Sequence, residues 1–374
     1  MTAIPAAAAP RLTRSARLVL LAFLLAACAR GAPSNAGRTV DSAAAPAART
    51  DTAHIAETFI TPFDTLDNVD SPAVYHAGDV HWLLASAKTT DAILVYDATT
   101  GAPVRRVGTS GTSAGALRRP NGLAVADSTL FVVERDNHRV QAFHLPSFRP
   151  LGTFATGLRK PYGLTWVRAG GGGYRLYVTD NYETADEQVP PDHELGRRVH
   201  LYEVRLTPQG VEASLLRTFG DTVGDGTLRI VESIMADSVQ GRLLVAEETE
   251  VDSHLKLYDL EGRFGGRIVG RGRFPQQAEG IALYACADGG GYWIATDQGE
   301  GVNTFHVFDR KTLDHLGAFT GEETRLTDGV ALTQRAFGPF AAGALYASHL
   351  DGGIAALSWA AIAEALGLRS DCRT

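Results

Sequence analysis

The stretch Glu279-Gly-Ile-Ala-Leu283, with Tyr292-Trp-Ile-Ala-Thr296 after it, places a short apolar strand behind an acidic residue and a glycine and then adds a second strand. The first pattern recurs along the chain, each time with a small or glycine-containing start. Its copies cover residues 71–75, 121–125, 162–166, 232–236, 279–283 and 328–332. Short apolar runs between Gly, Asp and Asn turns at a period of roughly 40–50 residues indicate a repeat architecture built from small antiparallel sheets.

Further strands complete each repeat. Second strands are predicted at residues 82–86, 130–134, 175–179, 242–247, 292–296 and 344–348. Third strands are predicted at residues 92–97, 139–143, 198–202, 254–259, 304–309 and 353–357. Fourth strands follow in the first five repeats, at residues 104–108, 150–155, 214–219, 262–269 and 314–319. The sequence therefore predicts an all-β fold, a six-bladed β-propeller.

The sixth repeat has no fourth strand of its own, because the helical pattern of residues 359–366 follows its third strand directly. An unassigned strand at residues 57–63 precedes the first repeat. Since an open ring would leave unpaired backbone edges, we expect this N-terminal strand to close the propeller by completing the sixth blade. A polar insertion at residues 182–196 is expected to form a loop on one face.

Residues 1–28 have the pattern of a lipoprotein-type signal peptide. Three arginines precede the apolar run 18–27, which is short for a membrane span and has the charge order of a secretory signal. Leu25-Ala-Ala-Cys28 resembles a bacterial lipobox, in which Cys28 would carry the lipid; the alternative is an ordinary signal peptide with an unrelated cysteine. We expect an exported lipoprotein of the periplasm, outer membrane or cell surface that contacts the membrane only through its anchor.

The remaining chain divides into a flexible linker and the propeller. Residues 29–52 are rich in Ala, Ser, Pro and Gly, which is typical of a tether, and residues 53–370 form the repeat domain. The net charge of −7 and the pI near 5.9 argue against a nucleic-acid partner. We expect a monomer. Cys286 and Cys372 could form a disulfide, although two unpaired thiols are slightly favoured.

Acidic residues recur at the start of first strands and after second strands. They are Asp70, Glu134, Asp136, Asp180, Glu232, Glu247, Glu248, Glu279, Asp297, Glu300, Asp328 and Asp351. In an antiparallel blade these two positions lie on the same side, so the carboxylates should converge on one face. Their repulsion and their hard oxygen atoms favour calcium over zinc or copper. For any single acid, a solvated turn residue is the alternative.

A few cations accompany these acids. Lys88, Arg135, Arg139 and Lys160 are expected on the same face, with Lys88 and Arg135 at the repeat position of Glu247 and Asp297. A face with both charges suits an anionic substrate bridged by metal ions, because Arg and Lys bind phosphate oxygens by charge-assisted hydrogen bonds. The alternative for each cation is a surface ion pair.

Several of these motifs resemble the β-propeller phytases, in the order of that family, from about residue 67 to residue 366. The motifs are Asp70-Ser-Pro-Ala, Tyr162-Gly-Leu, Glu232, Leu243-Leu-Val-Ala-Glu-Glu248, Ala278-Glu-Gly-Ile281, Ala287-Asp-Gly-Gly-Gly-Tyr292, Gln298-Gly299 and Thr327-Asp-Gly329. The resemblance implies a phosphomonoesterase that uses several calcium ions and hydrolyses inositol polyphosphates such as phytate by attack of water on phosphorus.

The resemblance also implies roles for single residues. Metal ligands would be Tyr162, Glu232, Glu247, Glu279, Gln298 and Asp328, with Asp70 at a structural calcium near the ring closure. Substrate phosphates would be bound by Lys88, Arg135 and Lys160. Catalytic residues would be Lys88, Arg135 and Glu232, the last of which would orient the attacking water.

The chain departs from the family at a few positions. Asn181 replaces a family lysine, Gln277 replaces an acid two residues before Glu279, and Lys88 aligns only with a shift of one residue. These departures predict weaker activity or a different phosphate ester.

Two other functions are compatible with the sequence. A calcium-bearing propeller lactonase would use Asn121, Asp136 and Asn137 as ligands. A non-catalytic binding or sensor module of the NHL-repeat type would account for Arg119-Pro-Asn-Gly-Leu123 and Arg135-Asp-Asn-His-Arg139.

Overall fold

The computed structural model describes residues 52–249 and 252–372 of the chain. The predicted signal peptide, Cys28 and the predicted linker up to residue 51 lie outside the described residues. Within the described part, no helix is long and apolar enough to cross a membrane.

Six sheets, one for each blade, make up the described chain. Two short strands come first, β1 (Ala53–Ile55) and β2 (Phe59–Ile60). Blade 1 contains β3 (Val69–Ala77), β4 (Val80–Ala87), β5 (Ala92–Asp97) and β6 (Pro103–Val107). Blade 2 contains β7 (Pro120–Ala126), β8 (Thr129–Glu134), β9 (Arg139–His144) and β10 (Arg149–Phe154). Blade 3 contains β11 (Pro161–Arg168), β12 (Tyr174–Asp180), β13 (Val199–Thr207) and β14 (Gly210–Phe219).

The second half of the chain repeats this arrangement. Blade 4 contains β15 (Ile234–Asp237), β16 (Arg242–Glu247), β17 (His254–Asp259) and β18 (Phe264–Val269). Blade 5 contains β19 (Ala278–Ala285), β20 (Gly291–Asp297), β21 (Thr304–Asp309) and β22 (His315–Gly321). Blade 6 contains β23 (Val330–Thr333), β24 (Ala344–His349) and β25 (Gly353–Ser358). The helices are α1 (Trp359–Leu366) and three 3-10 turns at Gly170–Gly172, Asp192–Glu194 and Gly224–Gly226.

The predicted six-bladed β-propeller is confirmed. The first strands of neighbouring blades contact one another around a closed ring, from β3 and β7 through to β23 and β3. The predicted closure is also confirmed, because β2 pairs antiparallel with β25 and gives blade 6 its fourth strand. The sequence did not predict β1, which adds a parallel strand to β22 at the edge of blade 5.

The hydrophobic core is divided among the interfaces between neighbouring blades. Strand β8 shows how: Leu130 and Val132 belong to the cluster shared with blade 1, whereas Phe131 and Val133 belong to the cluster shared with blade 3. Side chains alternate between the two faces of a strand, and here both faces are covered. This explains why the second strands have almost continuous apolar sequences.

Cys286 and Cys372 form a disulfide, with their Cα atoms 4.6 Å apart. The slight preference for two unpaired thiols is therefore wrong. The reason is tertiary: α1 packs back on blade 5, where the ring of Trp359 stacks on Tyr284 at 4.1 Å. The tail after α1 consequently lies beside the end of β19, and the Cys372 N–H donates to the Tyr284 hydroxyl at 3.2 Å.

Removing the disulfide should lower the free energy of unfolding by about 2–4 kcal/mol, because the bond joins positions separated by 86 residues and restricts the unfolded chain. Urea unfolding of a Cys286→Ala, Cys372→Ala variant measures this loss. Reductant should destabilise the wild type and leave the double variant unchanged; equal sensitivity of both proteins would show that the bond contributes nothing.

Candidate functional site

One residue occupies the same place at the start of the first strand in every blade. This set, called the ring here, consists of Asp70, Asn121, Tyr162, Glu232, Glu279 and Asp328. All of them except Asn121 line a central cavity of about 90 Å³. Asn121 is fully buried, and neither its side-chain oxygen nor its nitrogen has a hydrogen-bond partner among the described residues.

A β-bulge places the ring residue in most blades. The strand register shifts between Val69 and Pro72 in blade 1, and between Ala278 and Ile281 in blade 5. Equivalent shifts occur at the starts of β7 and β11. A bulge leaves one residue unpaired and changes the direction of its side chain. The ring residues therefore do not follow the alternation of side-chain directions that holds in the rest of their strands.

Glycine follows the ring residue in four blades, because the backbone of the next blade comes very close. A Cβ atom on Gly122 would lie 2.6 Å from the Tyr162 carbonyl oxygen, and one on Gly163 would lie 2.1 Å from that of Glu232. Gly280 shows the same approach directly, since its N–H donates to the Asp328 carbonyl at 2.8 Å. These glycines allow neighbouring ring positions to approach one another.

A second set of residues comes directly after the second strand of each blade. Each backbone N–H donates to a carbonyl of the loop that leads into the first strand of the same blade. The set comprises Lys88, Arg135, Asn181, Glu248, Gln298 and Leu350. Their side chains include several direct contacts with the ring: the Asn181 Nδ2 donates to Glu232 Oε1 at 3.0 Å, and the Gln298 Nε2 donates to Asp328 Oδ1.

The acids one residue earlier have a different role. Glu134, Asp180, Glu247 and Asp297 each accept backbone N–H groups from the loop before their own first strand. Glu247 and Asp297 were predicted at the repeat position of Lys88 and Arg135, but they are the last residues of their strands, whereas Lys88 and Arg135 follow theirs, so this alignment is wrong by one residue. Such a shift sends a side chain to the opposite face of a strand.

Glu247 is fully engaged away from the cavity. Its carboxylate accepts the N–H groups of Arg229 and Ile230 at 3.0 Å each, and lies 2.8 Å from the Lys256 ammonium. Glu247 and Lys256 are both almost completely buried. Glu247 therefore does not join the group of acidic side chains at the cavity, where the resemblance implied that it would be a metal ligand.

Glu248 takes that place. One carboxylate oxygen from each of Glu232, Glu248 and Glu279 lies within 4.8 Å of the other two. The Oε1 of Glu248 accepts the N–H groups of Glu232 and Ser233 at 3.1 and 3.0 Å, while its Oε2 has no hydrogen-bond partner among the described residues. Glu248 is only 1% exposed, so this oxygen points to a ligand in the cluster.

The carboxylates around the cavity are held in an unfavourable environment. Burial, and then the charge of Asp70, raise the pKa of Glu232 to about 7 and that of Asp328 to about 8. Burial and neighbouring carboxylates also raise the pKa of Glu248 and of Glu279 well above the usual range. A bound cation would stabilise the ionised forms, because an opposite charge offsets both desolvation and repulsion.

Lys88 lies inside this cluster and not at its surface. Its ammonium is 2.6 Å from Asp70, 3.9 Å from Asp328 and 3.5 Å from the Tyr162 hydroxyl, and its side chain is only 8% exposed. Burial alone would lower the pKa of Lys88, but the charges of Asp70 and Asp328 outweigh it and raise the pKa above its usual value.

Arg135 and Lys160 meet in a separate polar cleft of about 490 Å³. Arg159 also lines it, and so do the carboxylates of Asp136, Glu183 and Glu187. Arg135 pairs with Asp136 at 2.7 Å, and Lys160 pairs with Glu183 from the predicted insertion. The cleft therefore contains both charges, and Arg135 and Lys160 are each paired within it.

The ligand set of the lactonase alternative is not brought together. Asn121 is buried in the ring, Asp136 pairs with Arg135 at the cleft, and Asn137 donates to the Gly111 carbonyl at 3.0 Å and to Glu134.

A family model described as Phytase matches residues 226–342, which include Glu232, Glu248, Glu279 and Asp328. The match and the six blades fit the β-propeller phytase family. They support a phytate-hydrolysing propeller and suggest a hydrolase. A solved structure titled "Crystal structure of Nidogen/Laminin Complex" is similar at 14% identity and a TM-score of 0.46, over 70% of this chain and 82% of that chain. That likeness is too distant to bear on function.

The departures from the phytase motifs have clear positions in the structure. Asn181, where a phytase lysine was expected, holds Glu232 through its Nδ2 and accepts the Val231 N–H through its Oδ1 at 3.3 Å. Gln277 lies in the loop before β19, where its N–H donates to Asp297 at 3.1 Å. Asn181 therefore positions an acid and contributes no positive charge.

Gly163→Ala should destabilise the fold by about 1–3 kcal/mol, because its methyl group would collide with the Glu232 carbonyl. Gly170→Ala is the matched control, since a Cβ there meets nothing within 4 Å. Urea unfolding compares the two variants. Equal stabilities would show that the inner strands can separate without cost.

Glu247→Gln should lower stability, whereas Glu248→Gln should weaken calcium binding. The first leaves the buried Lys256 ammonium without an anion and should lower the free energy of unfolding by about 3 kcal/mol or more. The second removes a repelling charge, so we expect little loss of stability but at least about tenfold weaker calcium binding. Urea unfolding without calcium and calorimetric titration with calcium measure these effects. Weaker calcium binding in the Glu247 variant alone would contradict the assignment.

Proposed function

We propose that this protein is a calcium-dependent phosphomonoesterase that hydrolyses inositol polyphosphates such as phytate by attack of water on phosphorus. The observation that carries the proposal is the buried cluster of Glu232, Glu248 and Glu279 close to a cleft lined by Arg135 and Lys160. The phytase match over residues 226–342 supports the same reaction class.

The donor atoms of the ring fit calcium. They are carboxylate oxygens with a phenol and an amide nearby, and calcium prefers several oxygen ligands in a flexible arrangement. In this proposal the ligands are Glu232, Glu248 and Glu279, with Asp328 and Gln298 beside them. When bound, calcium would supply positive charge for the phosphate oxygens and for a water molecule. Glu248 replaces Glu247 in the ligand set.

The protein residues supply orientation and binding. Asn181 fixes one oxygen of Glu232 and leaves the carboxylate directed at the cavity, where it can accept a proton from the attacking water. Arg135 and Lys160 can bind phosphate groups by charge-assisted hydrogen bonds after releasing Asp136 and Glu183. Tyr162 completes the cavity wall on the side of Asp70, and its hydroxyl donates a hydrogen bond to Asp70 Oδ2 at 3.3 Å.

The adjacent positions of the cleft and the ring favour a substrate with several phosphates. Lys160 lines the cleft and Tyr162 lines the central cavity, and the two residues are joined by Pro161 at the start of β11. A polyphosphorylated ring could place one phosphate in the cavity while others lie in the cleft, so that remote binding orients the reacting group.

We also propose that the protein is an exported lipoprotein anchored to the membrane through Cys28. Its substrate would be a small anionic phosphate ester. The disulfide between Cys286 and Cys372 supports export, because such bonds persist in oxidising compartments.

The test is phosphate release from inositol hexakisphosphate by a protein that begins at residue 53, with and without calcium. We expect calcium-dependent release, and a loss of at least about a hundredfold in Glu232→Gln, because a carboxylate at the reacting centre is removed. Glu212→Gln, a change at an exposed position on β14, is the matched control and should keep full activity.

Activity without calcium, or full activity in Glu232→Gln, would contradict this proposal. A folded protein that binds calcium and inositol hexakisphosphate without releasing phosphate would instead favour a binding module. Arg135→Met should mainly raise KM, which separates the role of the cleft from that of the ring.

A further inference from the structure

The ring is chemically divided into two sides. In blades 4 and 5, the acids Glu232, Glu248 and Glu279 face one another with no lysine or arginine bonded to them among the described residues. In blades 6 and 1, Asp328 and Asp70 share the ammonium of Lys88. One side of the cavity therefore contains a protein cation, and the other side contains none among the described residues.

The position of Lys88 is that of an internal counterion. Its ammonium contacts three oxygen-bearing side chains of the ring, those of Asp70, Asp328 and Tyr162, at 2.6, 3.9 and 3.5 Å. Both Asp70 and Lys88 are more than nine-tenths buried. A lysine that binds substrate phosphates would need to leave two carboxylates and expose them to each other.

The oxygens around this ammonium form a donor set of their own. Asp70 Oδ2 accepts from both Lys88 and the Tyr162 hydroxyl, and Asp70 Oδ1 accepts from Ser71 Oγ at 2.6 Å. Asp328 Oδ1 is held by Gln298, so that Oδ2 remains towards Lys88. Without the ammonium, the buried carboxylate of Asp70 and the partly buried carboxylate of Asp328 would face each other with no positive charge between them.

We propose that the Lys88 ammonium occupies a cation position on the blade 6 and blade 1 side of the ring, and thereby confines divalent metal binding to the side of Glu232, Glu248 and Glu279. This inference rests on the proposed calcium cofactor. The unpartnered Oε2 of the buried Glu248 marks the side that stays open to a metal ion.

An ammonium and a calcium ion compete for the same kind of place. Each prefers several oxygen atoms, but the lysine is covalently tethered and carries one charge where calcium carries two. Removing it should leave the oxygen atoms of Asp70 and Asp328 without a protein cation between them, in a place that is buried at Asp70 and partly exposed at Asp328. That arrangement would attract a divalent cation from solution.

The test counts calcium ions in the protein that begins at residue 53, without any substrate. Isothermal titration with calcium chloride is performed on the wild type, Lys88→Met and Lys88→Arg. We expect Lys88→Met to bind one more ion per chain than the wild type, and Lys88→Arg to bind the same number as the wild type. Lys160→Met is the matched control: it removes the same charge from the outer cleft and should leave the count unchanged.

The same variants are then heated at a series of calcium concentrations. The midpoint temperature of Lys88→Met should rise more steeply with the logarithm of calcium concentration, because folding takes up an additional ion. This measurement also covers the case in which Lys88→Met folds only when calcium is present.

An unchanged count together with an unchanged slope in Lys88→Met overturns the inference. An equal gain in Lys160→Met also overturns it, because the effect would then be one of overall charge. Since no substrate is used, a failure of this inference and a failure of the proposed hydrolysis are read from different experiments.

Discussion

The close contact between neighbouring inner strands is the constraint on which the site depends. Gly163 lies so close to the Glu232 carbonyl that no side chain fits, and Gly280 donates its N–H to the Asp328 carbonyl. These contacts bring the first residues of the inner strands around one small cavity. A wider ring would leave the same carboxylates too far apart to bind one ion, so the glycines and the acids act as one unit.

The acids of the ring are unfavourable for folding, and the rest of the propeller must compensate for them. Their raised pKa values show that burial and mutual repulsion oppose ionisation. The compensation comes from apolar clusters between neighbouring blades, in which both faces of strands such as β8 are buried. Lys88 offsets part of the charge directly.

Much of this architecture could be predicted from the sequence, because it depends on local patterns. The succession of apolar strands and turn residues predicted the six blades. The absence of a fourth strand at the end of blade 6 predicted the closure by β2. The site was predicted less well. Glu247 and Glu248 are adjacent, and a shift of one residue decides which of them faces the cluster and which binds Lys256. Which of two adjacent glutamates ends the strand and which follows it cannot be read from their identical side chains.

The sequence by itself determined the repeat, the order of the blades and the types of residue at the ring, since each of these follows from local composition and spacing. Only the tertiary structure decided which charges meet. It placed Lys88 between Asp70 and Asp328 and paired Cys286 with Cys372. Contacts of this kind join residues that are distant in the chain, and their geometry depends on how closely the blades pack. For that reason the chemistry of the cavity was settled by packing and not by any single motif.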